Sequence, residues 1–330
     1  GEEERLVEYL GPKMEEMGYD VQVDGTGNLI AKAGEGDVEV ALIGHLDTVP
    51  GQIDVRIKDG SLYGRGSVDA QGPLASFIDA GKEYVGSEAL SVYAVGVVEE
   101  ETTSKGAYAL VEEISPDFVV VGEPSNWDGI TLGYRGSFLI NYELSAPKTH
   151  RGEGSPIPAE EAVKFYQGFS DFLGTGNEGF FGDSVRLTKI VTGDDPFADH
   201  VRMRLNVRLA PGADLEEIRK FIEENAGSAD VSTTRVIPPV RAPKRNKLVS
   251  AFLGGIRGQG GEPGFKLKTG TADMNIFAED WDVPIIAYGP GDSSMDHTPD
   301  EHLELVEYER AREVLVAALR TLEKVYSDNG

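Results

Sequence analysis

No cysteine occurs among the 330 residues, which excludes disulfides and thiolate metal ligands and leaves His, Asp and Glu as donors for any bound metal. The same absence fits a cytoplasmic protein. No apolar run approaches the length of a membrane span, and no basic-then-apolar signal segment opens the chain. The sequence starts directly on a helical pattern, without an initiator Met, so a native segment ahead of it is expected. Basic charge is scarce: 31 Lys and Arg against 57 Asp and Glu leave a net charge of −26. A field of that sign repels nucleic acid and anionic membranes and argues against both as partners. It also makes carboxylates so common that each candidate ligand must be justified by its position.

What is present is a 40% hydrophobic content, enough for a sizeable core, and a length for which two domains are the default. Leu6, Val7, Leu10, Met14 and Met17 have helical spacing that stops at Gly18. Short apolar runs follow at 21–23, 28–32 and 38–43, the last reading as a buried strand that ends at His45. A helix is predicted over 73–84, a strand over 90–98, a helix closing at 111–114 and a strand over 118–121. Strands alternating with helices indicate an α/β class with a mostly parallel central sheet flanked by helices. The rhythm then changes: strand 138–144, helix 159–173 opened by Pro158, strands 185–191 and 201–209, a helix capped by Asp214, and strand 231–237. That β-α-β-β-α-β order is the order of a ferredoxin-like α+β unit. The predicted domains are 1–134, an inserted 135–241, and 242–330, which completes the first.

Polar groups gather at the ends of predicted strands, where open α/β sheets place their ligands. In Gly44-His45-Leu46-Asp47, His45 and Asp47 face one side of an extended backbone. His45 suits metal binding through one ring nitrogen with Asp47 accepting from the other or orienting it more indirectly; the alternative is a satisfied histidine near a turn. Asp69, in Gly64-Arg-Gly-Ser-Val-Asp69, precedes a helix start and taken alone reads as a helix cap. Val97-Val-Glu99-Glu100-Glu101 ends a strand in three carboxylates, Gly122-Glu123-Pro124 ends another, and His297 follows a glycine turn before the last helix. This all-N/O set suits zinc or a similar divalent ion.

His45-Leu-Asp47, the 64–69 loop, Glu100-Glu101 with Ser104 and Gly106, Gly122-Glu-Pro124 and His297-Thr-Pro together resemble the zinc-dependent aminoacylase, carboxypeptidase G and succinyl-diaminopimelate desuccinylase family. The resemblance covers nearly the whole chain and implies that the inserted unit is a dimerisation (lid) domain. It implies two divalent metal ions, zinc by expectation, with cobalt or manganese also fitting the donors. Asp69 would bridge them, with His45 and Glu123 on one and Glu101 and His297 on the other. Glu100 resembles the general base that takes a proton from the attacking water and passes it to the departing nitrogen, and Asp47 resembles the catalytic partner of His45. On extended backbone Glu100 and Glu101 would point to opposite sides and do different work. Glu99 would be a neighbour facing the site's surroundings or solvent. His150 matches the histidine that in relatives reaches across a homodimer interface to stabilise the oxyanion. Asn206 resembles a substrate contact, with a purely local hydrogen-bonding role as the alternative; Arg135, Thr271 and Asn275 complete the substrate-binding candidates.

The stretch Gly270-Thr-Ala-Asp-Met-Asn275 narrows the substrate. Many relatives carry an arginine for a substrate α-carboxylate where Asn275 stands. The form here resembles the subgroup that releases lysine or ornithine from an amino-group carrier protein, or from their N-acyl forms, in lysine and arginine biosynthesis. A succinyl-diaminopimelate desuccinylase, an N-acetyl-amino-acid deacetylase or a dipeptidase is the alternative, with a catalytically silent metal-binding scaffold behind them. A carrier of that kind is acidic, and Arg241, Lys244, Arg245 and Lys247, with Lys266 and Lys268, form the basic cluster that would steer it, unless they are solvated linker charges.

Overall fold

The computed structural model describes residues 3–148, 157–174 and 179–327, and divides them into two compact units. The first comprises residues 1–133, 241–267 and 272–330, and the second residues 134–240 and 268–271.

The first unit opens with α1 (Glu3–Glu16), β1 (Asp20–Val23), β2 (Leu29–Ala33) and β3 (Glu39–His45), then the short strands β4 (Arg56–Lys58) and β5 (Ser61–Tyr63). It continues through α2 (Gln71–Gly81), β6 (Ser91–Val97), α3 (Lys105–Glu113), β7 (Phe118–Gly122) and β8 (Gly129–Tyr134). The second unit holds β9 (Gly136–Pro147), α4 (Pro158–Leu173), β10 (Ser184–Asp194), β11 (Ala198–Leu209), α5 (Leu215–Asn225) and β12 (Asp230–Thr233). The chain then passes through β13 (Val240–Arg241), α6 (Lys247–Gly258), β14 (Gly264–Lys268), α7 (Met274–Asp280), β15 (Ile285–Tyr288), β16 (His302–Glu304) and α8 (Leu305–Ser327).

The large sheet runs β1-β2-β6-β3-β7-β15-β8-β13, with β14 beside β8. Its centre, β6-β3-β7-β15, is parallel, and antiparallel strands flank it. The central strands are apolar on both faces because helices cover them: β3 and β7 are almost wholly buried. Helix α2 lies on β3, β6 and β7, and α8 packs against α2 and α6. Fully burying Phe77 of α2 contributes about 1.5–3 kcal/mol. That close packing needs glycine at the strand ends. A Cβ on Gly44 would sit 3.0 Å from Leu74 Cβ, and one on Gly122 3.0 Å from the Phe77 ring.

The second unit is a four-stranded antiparallel sheet, β10-β11-β9-β12, with α4 across β9, β10 and β11 and against α5. Burial alternates strictly along β9 as far as Tyr142 and along β11 from Val201, so one face feeds a core of Ile140, Tyr142, Phe165, Phe169, Met203 and Leu205. Asp214 caps α5 by accepting the Glu216 and Glu217 N–H groups at 3.1 and 3.0 Å. The last strand is shorter than the predicted 231–237. Regular pairing ends at Thr233, and beyond it four residues, Thr234 to Ile237, stand opposite three of β9, Leu139 to Ser137. The extra residue makes a bulge.

A third sheet, β16-β5-β4, was not legible in the sequence. Its strands are three residues each, and it joins Tyr63 to His302 across most of the chain.

Candidate metal centre

The four parallel strands deliver polar groups from one end. His45 closes β3, the three glutamates follow β6, Glu123 follows β7, and the chain leaving β15 turns through Gly289–Gly291 towards His297. Asp69 comes from the loop between β5 and α2. The helix-cap alternative for it is excluded: α2 starts at Gln71, its N-cap is Ala70, and no side chain caps it.

Asp69 stands between the two histidines. Its Oδ1 lies 3.3 Å from His45 Nε2, and its Oδ2 lies 2.9 Å from His297 Nε2. His297 Nε2 is also 3.0 Å from Glu101 Oε1. His45 is buried, and its Nδ1 lies 2.9 Å from the Asp47 carbonyl oxygen. An Nδ1–H donating to that carbonyl leaves Nε2 to face Asp69. Of the two roles expected for Asp47, the indirect one fits: its nearer carboxylate oxygen is 3.5 Å from the ring, and its carbonyl is the partner. The carboxylate is engaged elsewhere: its two oxygens accept the Glu100 and Glu101 N–H groups, each at 3.0 Å.

The glutamates do not lie on extended backbone, as the sequence suggested. The ladder ends at Val97, Glu99 adopts φ 60°, and Glu100 to Thr103 form a turn. The Glu99 carbonyl accepts from Thr102, Thr103 and Ser104, and its carboxylate pairs with Lys105 at 2.6 Å. Glu99 thus builds the turn that presents Glu100 and Glu101. Asn28, fully buried, holds both ends of this segment: its Oδ1 accepts the Val98 N–H and its Nδ2 donates to the Gly106 carbonyl.

Among the described residues, three groups of donors have atoms within 4.8 Å of one another: His45, Asp69 and Glu123; His45, Glu100 and Glu101; and Asp69, Glu101 and His297. Crowded carboxylates show their cost in their proton affinities. Burial pushes Glu100 well above the usual carboxylate range; Asp273, Glu123 and Glu101 push the same way, against His45. Burial likewise raises Glu101, with Asp69 adding and the two histidines opposing. Asp273, buried beside them, is raised to about 7, chiefly by desolvation. Burial opposes ionisation of Asp69 as well, but hydrogen bonds from His297 and His45 overcome it and hold that group low. His297 is raised to about 9, first by its hydrogen bond to Asp69. Burial disfavours charging His45, yet Asp47 and Asp69 raise it well above the ordinary imidazole value. The cluster therefore demands positive charge at both Nε2 atoms. Divalent cations taking the place of those protons fit this donor set.

A sequence profile of peptidase family M20/M25/M40 matches residues 41–321. The chain belongs to that family. Membership makes it a metal-dependent amide hydrolase, and divalent metal, usually zinc, is the family's cofactor. The chain is 41% identical to a LysW-lysine hydrolase of Deinococcus radiodurans, across 98% of this chain and 92% of that protein. It is 39% identical to a putative LysW-lysine/LysW-ornithine hydrolase of Thermococcus kodakarensis, covering 98% and 88%. Among solved structures, an M20 family metallo-carboxypeptidase of Sulfolobus solfataricus shares the fold at a TM-score of 0.80 and 17% identity, over 96% of this chain and 94% of that one.

The remaining candidates sit differently. His150 lies outside the described residues. Arg135, buried in the second unit, donates from Nε to the Thr269 carbonyl and from Nη1 to the Gly182 carbonyl and Ser184 Oγ. Thr271 Oγ1 donates to the Arg135 carbonyl and accepts from Arg208 at 2.5 Å. Asn275, 1% exposed, accepts the Ala272 N–H with its side-chain oxygen. These three have structural work of their own. Asn206 differs, because its buried Oδ1 has no partner among the described residues.

Sequence reasoning missed Asn28, Asp273 and Glu301. Glu301, fully buried, accepts the Val68 and Asp69 N–H groups on Oε1, at 2.9 and 3.2 Å, and pairs through Oε2 with Arg65 at 2.6 Å. The only sequence signal was its place four residues after His297.

Proposed function

We propose that this chain hydrolyses the amide that joins lysine or ornithine to an amino-group carrier protein, or the N-acyl form of these amino acids, in lysine and arginine biosynthesis in the cytoplasm. Two divalent ions, zinc by expectation, would be held by His45 and Glu123, by Glu101 and His297, and by Asp69 shared between them. The observation that carries this is the placement of one Asp69 oxygen at each histidine, with Glu101 beside the second. The relatives' names support the substrate class.

Bound there, divalent ions would acidify a water and polarise the scissile carbonyl. Glu100 takes the proton from that water. It then passes the proton to the departing nitrogen. Asp47 fixes the peptide N–H groups on which Glu100 and Glu101 hang, and its carbonyl orients His45. Asn206, with its unpaired oxygen, is the substrate contact we retain in the second unit. In this reading the second unit pairs two copies, and His150 of one protomer serves the active site of the other.

A liquid-chromatography assay offering carrier-linked lysine, N-acetyl-lysine, N-acetyl-ornithine and succinyl-diaminopimelate tests the assignment. Release of lysine or ornithine, lost on chelation and restored by zinc or cobalt, is expected; preferential cleavage of succinyl-diaminopimelate overturns it. Arg241, Lys244 and Arg245 are exposed and would steer an acidic carrier. If their reversal to Glu leaves carrier-substrate turnover and its salt dependence unchanged, the steering role is withdrawn.

A further inference from the structure

The loop that carries Asp69 is wrapped around a single carboxylate. It leaves β5 at Tyr63, and the Gly64 N–H contacts the Glu301 carbonyl at 3.4 Å. Glu301 Oε1 then collects two successive peptide N–H groups, those of Val68 and Asp69. Its Oε2 is taken by Arg65 Nη1, from the same loop, while Arg65 Nε donates to the Gly51 carbonyl at 3.2 Å. Glu301 itself is 0% exposed and is held in place because the next residue starts β16, paired with β5. A buried carboxylate without partners is costly, and here both oxygens are satisfied by the loop.

This arrangement repeats the one at the glutamate turn. There Asp47 collects the N–H groups of Glu100 and Glu101; here Glu301 collects those of Val68 and Asp69. Glu301 also shares a short segment with His297, so one stretch of chain brings both a histidine for Asp69 Oδ2 and the acceptor for the Asp69 N–H.

We infer that Glu301 is a positioning residue for the metal centre, acting through Asp69, with Arg65 fixing which way its carboxylate points. The inference rests on the proposal that Asp69 is a metal ligand. Replacing Glu301 by Gln keeps one acceptor oxygen but sets an amide NH2 among three donors. Either the Arg65 pair or the grip on the Val68 and Asp69 N–H groups is lost, and Asp69 is no longer held between the histidines.

The test is zinc affinity by competition with a chromophoric chelator, alongside the melting temperature and amide hydrogen exchange of the metal-stripped protein. For Glu301→Gln we expect a 10–100-fold loss of zinc affinity, the range for groups that orient a ligand. Exchange at Val68 and Asp69 should become faster, with the other sheet amides still protected. Arg65→Lys, which keeps the charge, should show a smaller loss in the same direction and serves if the Gln variant does not fold. Zinc affinity within twofold of the parent in both variants overturns the inference, as does a loss accompanied by general deprotection of the large sheet. Asp69→Asn separates the two readings. If it too retains zinc, the metal assignment fails; if it alone loses zinc, only the role of Glu301 does.

Discussion

The two units use polar residues in opposite ways. In the first, side chains from β3, the turn after β6, the loop before α2 and the segment after β15 converge until Asp69, His45, His297 and Glu101 lie within hydrogen-bonding reach, at a cost visible in the raised proton affinity of buried Glu101. In the second, Arg135, Arg208 and Thr271 bond to their own surroundings, and Asn206 Oδ1 has no partner among the described residues. The difference follows from the sheets. Parallel strands that share one end line up loops side by side and concentrate chemistry there. An antiparallel sheet alternates its strand ends and spends its specificity on an alternating core face.

Substitutions sharpen that contrast, beginning with the largest expected effect. Glu100→Gln should lower kcat by about 10²–10⁴, the usual range for a positioned acid–base group, with metal content unchanged. Steady-state kinetics with metal analysis decide it, and near-parent activity would remove Glu100 from the mechanism. In the second unit Phe169→Ala should cost about 3–5 kcal/mol of stability by opening a cavity among Phe165, Phe172 and Phe221. Denaturant unfolding measures that cost, and metal affinity at 25 °C should be unchanged. Asn206→Ala should raise KM about two- to tenfold, the value of one hydrogen bond, without moving the melting temperature. An unchanged KM would leave Asn206 with only a local role.

The smallest effect is a pH dependence confined to the first unit. The folded-state proton affinity of His297 is raised to about 9, above the ordinary 6.5 of an unfolded histidine. Its pairing with Asp69 therefore stabilises the metal-free protein fully below about pH 6.5, and that contribution is lost as pH rises through about 9. Melting temperatures of stripped protein between pH 6 and pH 10 should fall across that window, and His297→Gln should flatten the fall.

The residues that converge in the first unit were legible because their motifs resemble those of a known family, and because His45, the glutamates and Glu123 also follow recognisable strands. What held them was not. Glu301 is one acidic residue among 57 Asp and Glu, and its significance lies in two peptide N–H groups more than 230 positions away. Asn28 follows an ordinary turn, and only the folded chain sets it between Val98 and Gly106. The extended reading of Glu100 and Glu101 failed because apolar pattern marks where a strand runs but not that Glu99 takes a left-handed conformation at its end. The sheet of β4, β5 and β16 escaped for a related reason, since three-residue strands are too short to show periodicity.

Because the donors come from neighbouring parallel strands rather than from one stretch of chain, no short peptide contains the centre. His45 and His297 are separated by most of the sequence, and they face the same Asp69 only once β6, β3, β7 and β15 have docked in register. Metal retention consequently reports on assembly of the whole sheet. A protease nick in an exposed loop would be tolerated while the strands stay paired, whereas loss of one central strand would abolish metal binding and activity in a single step.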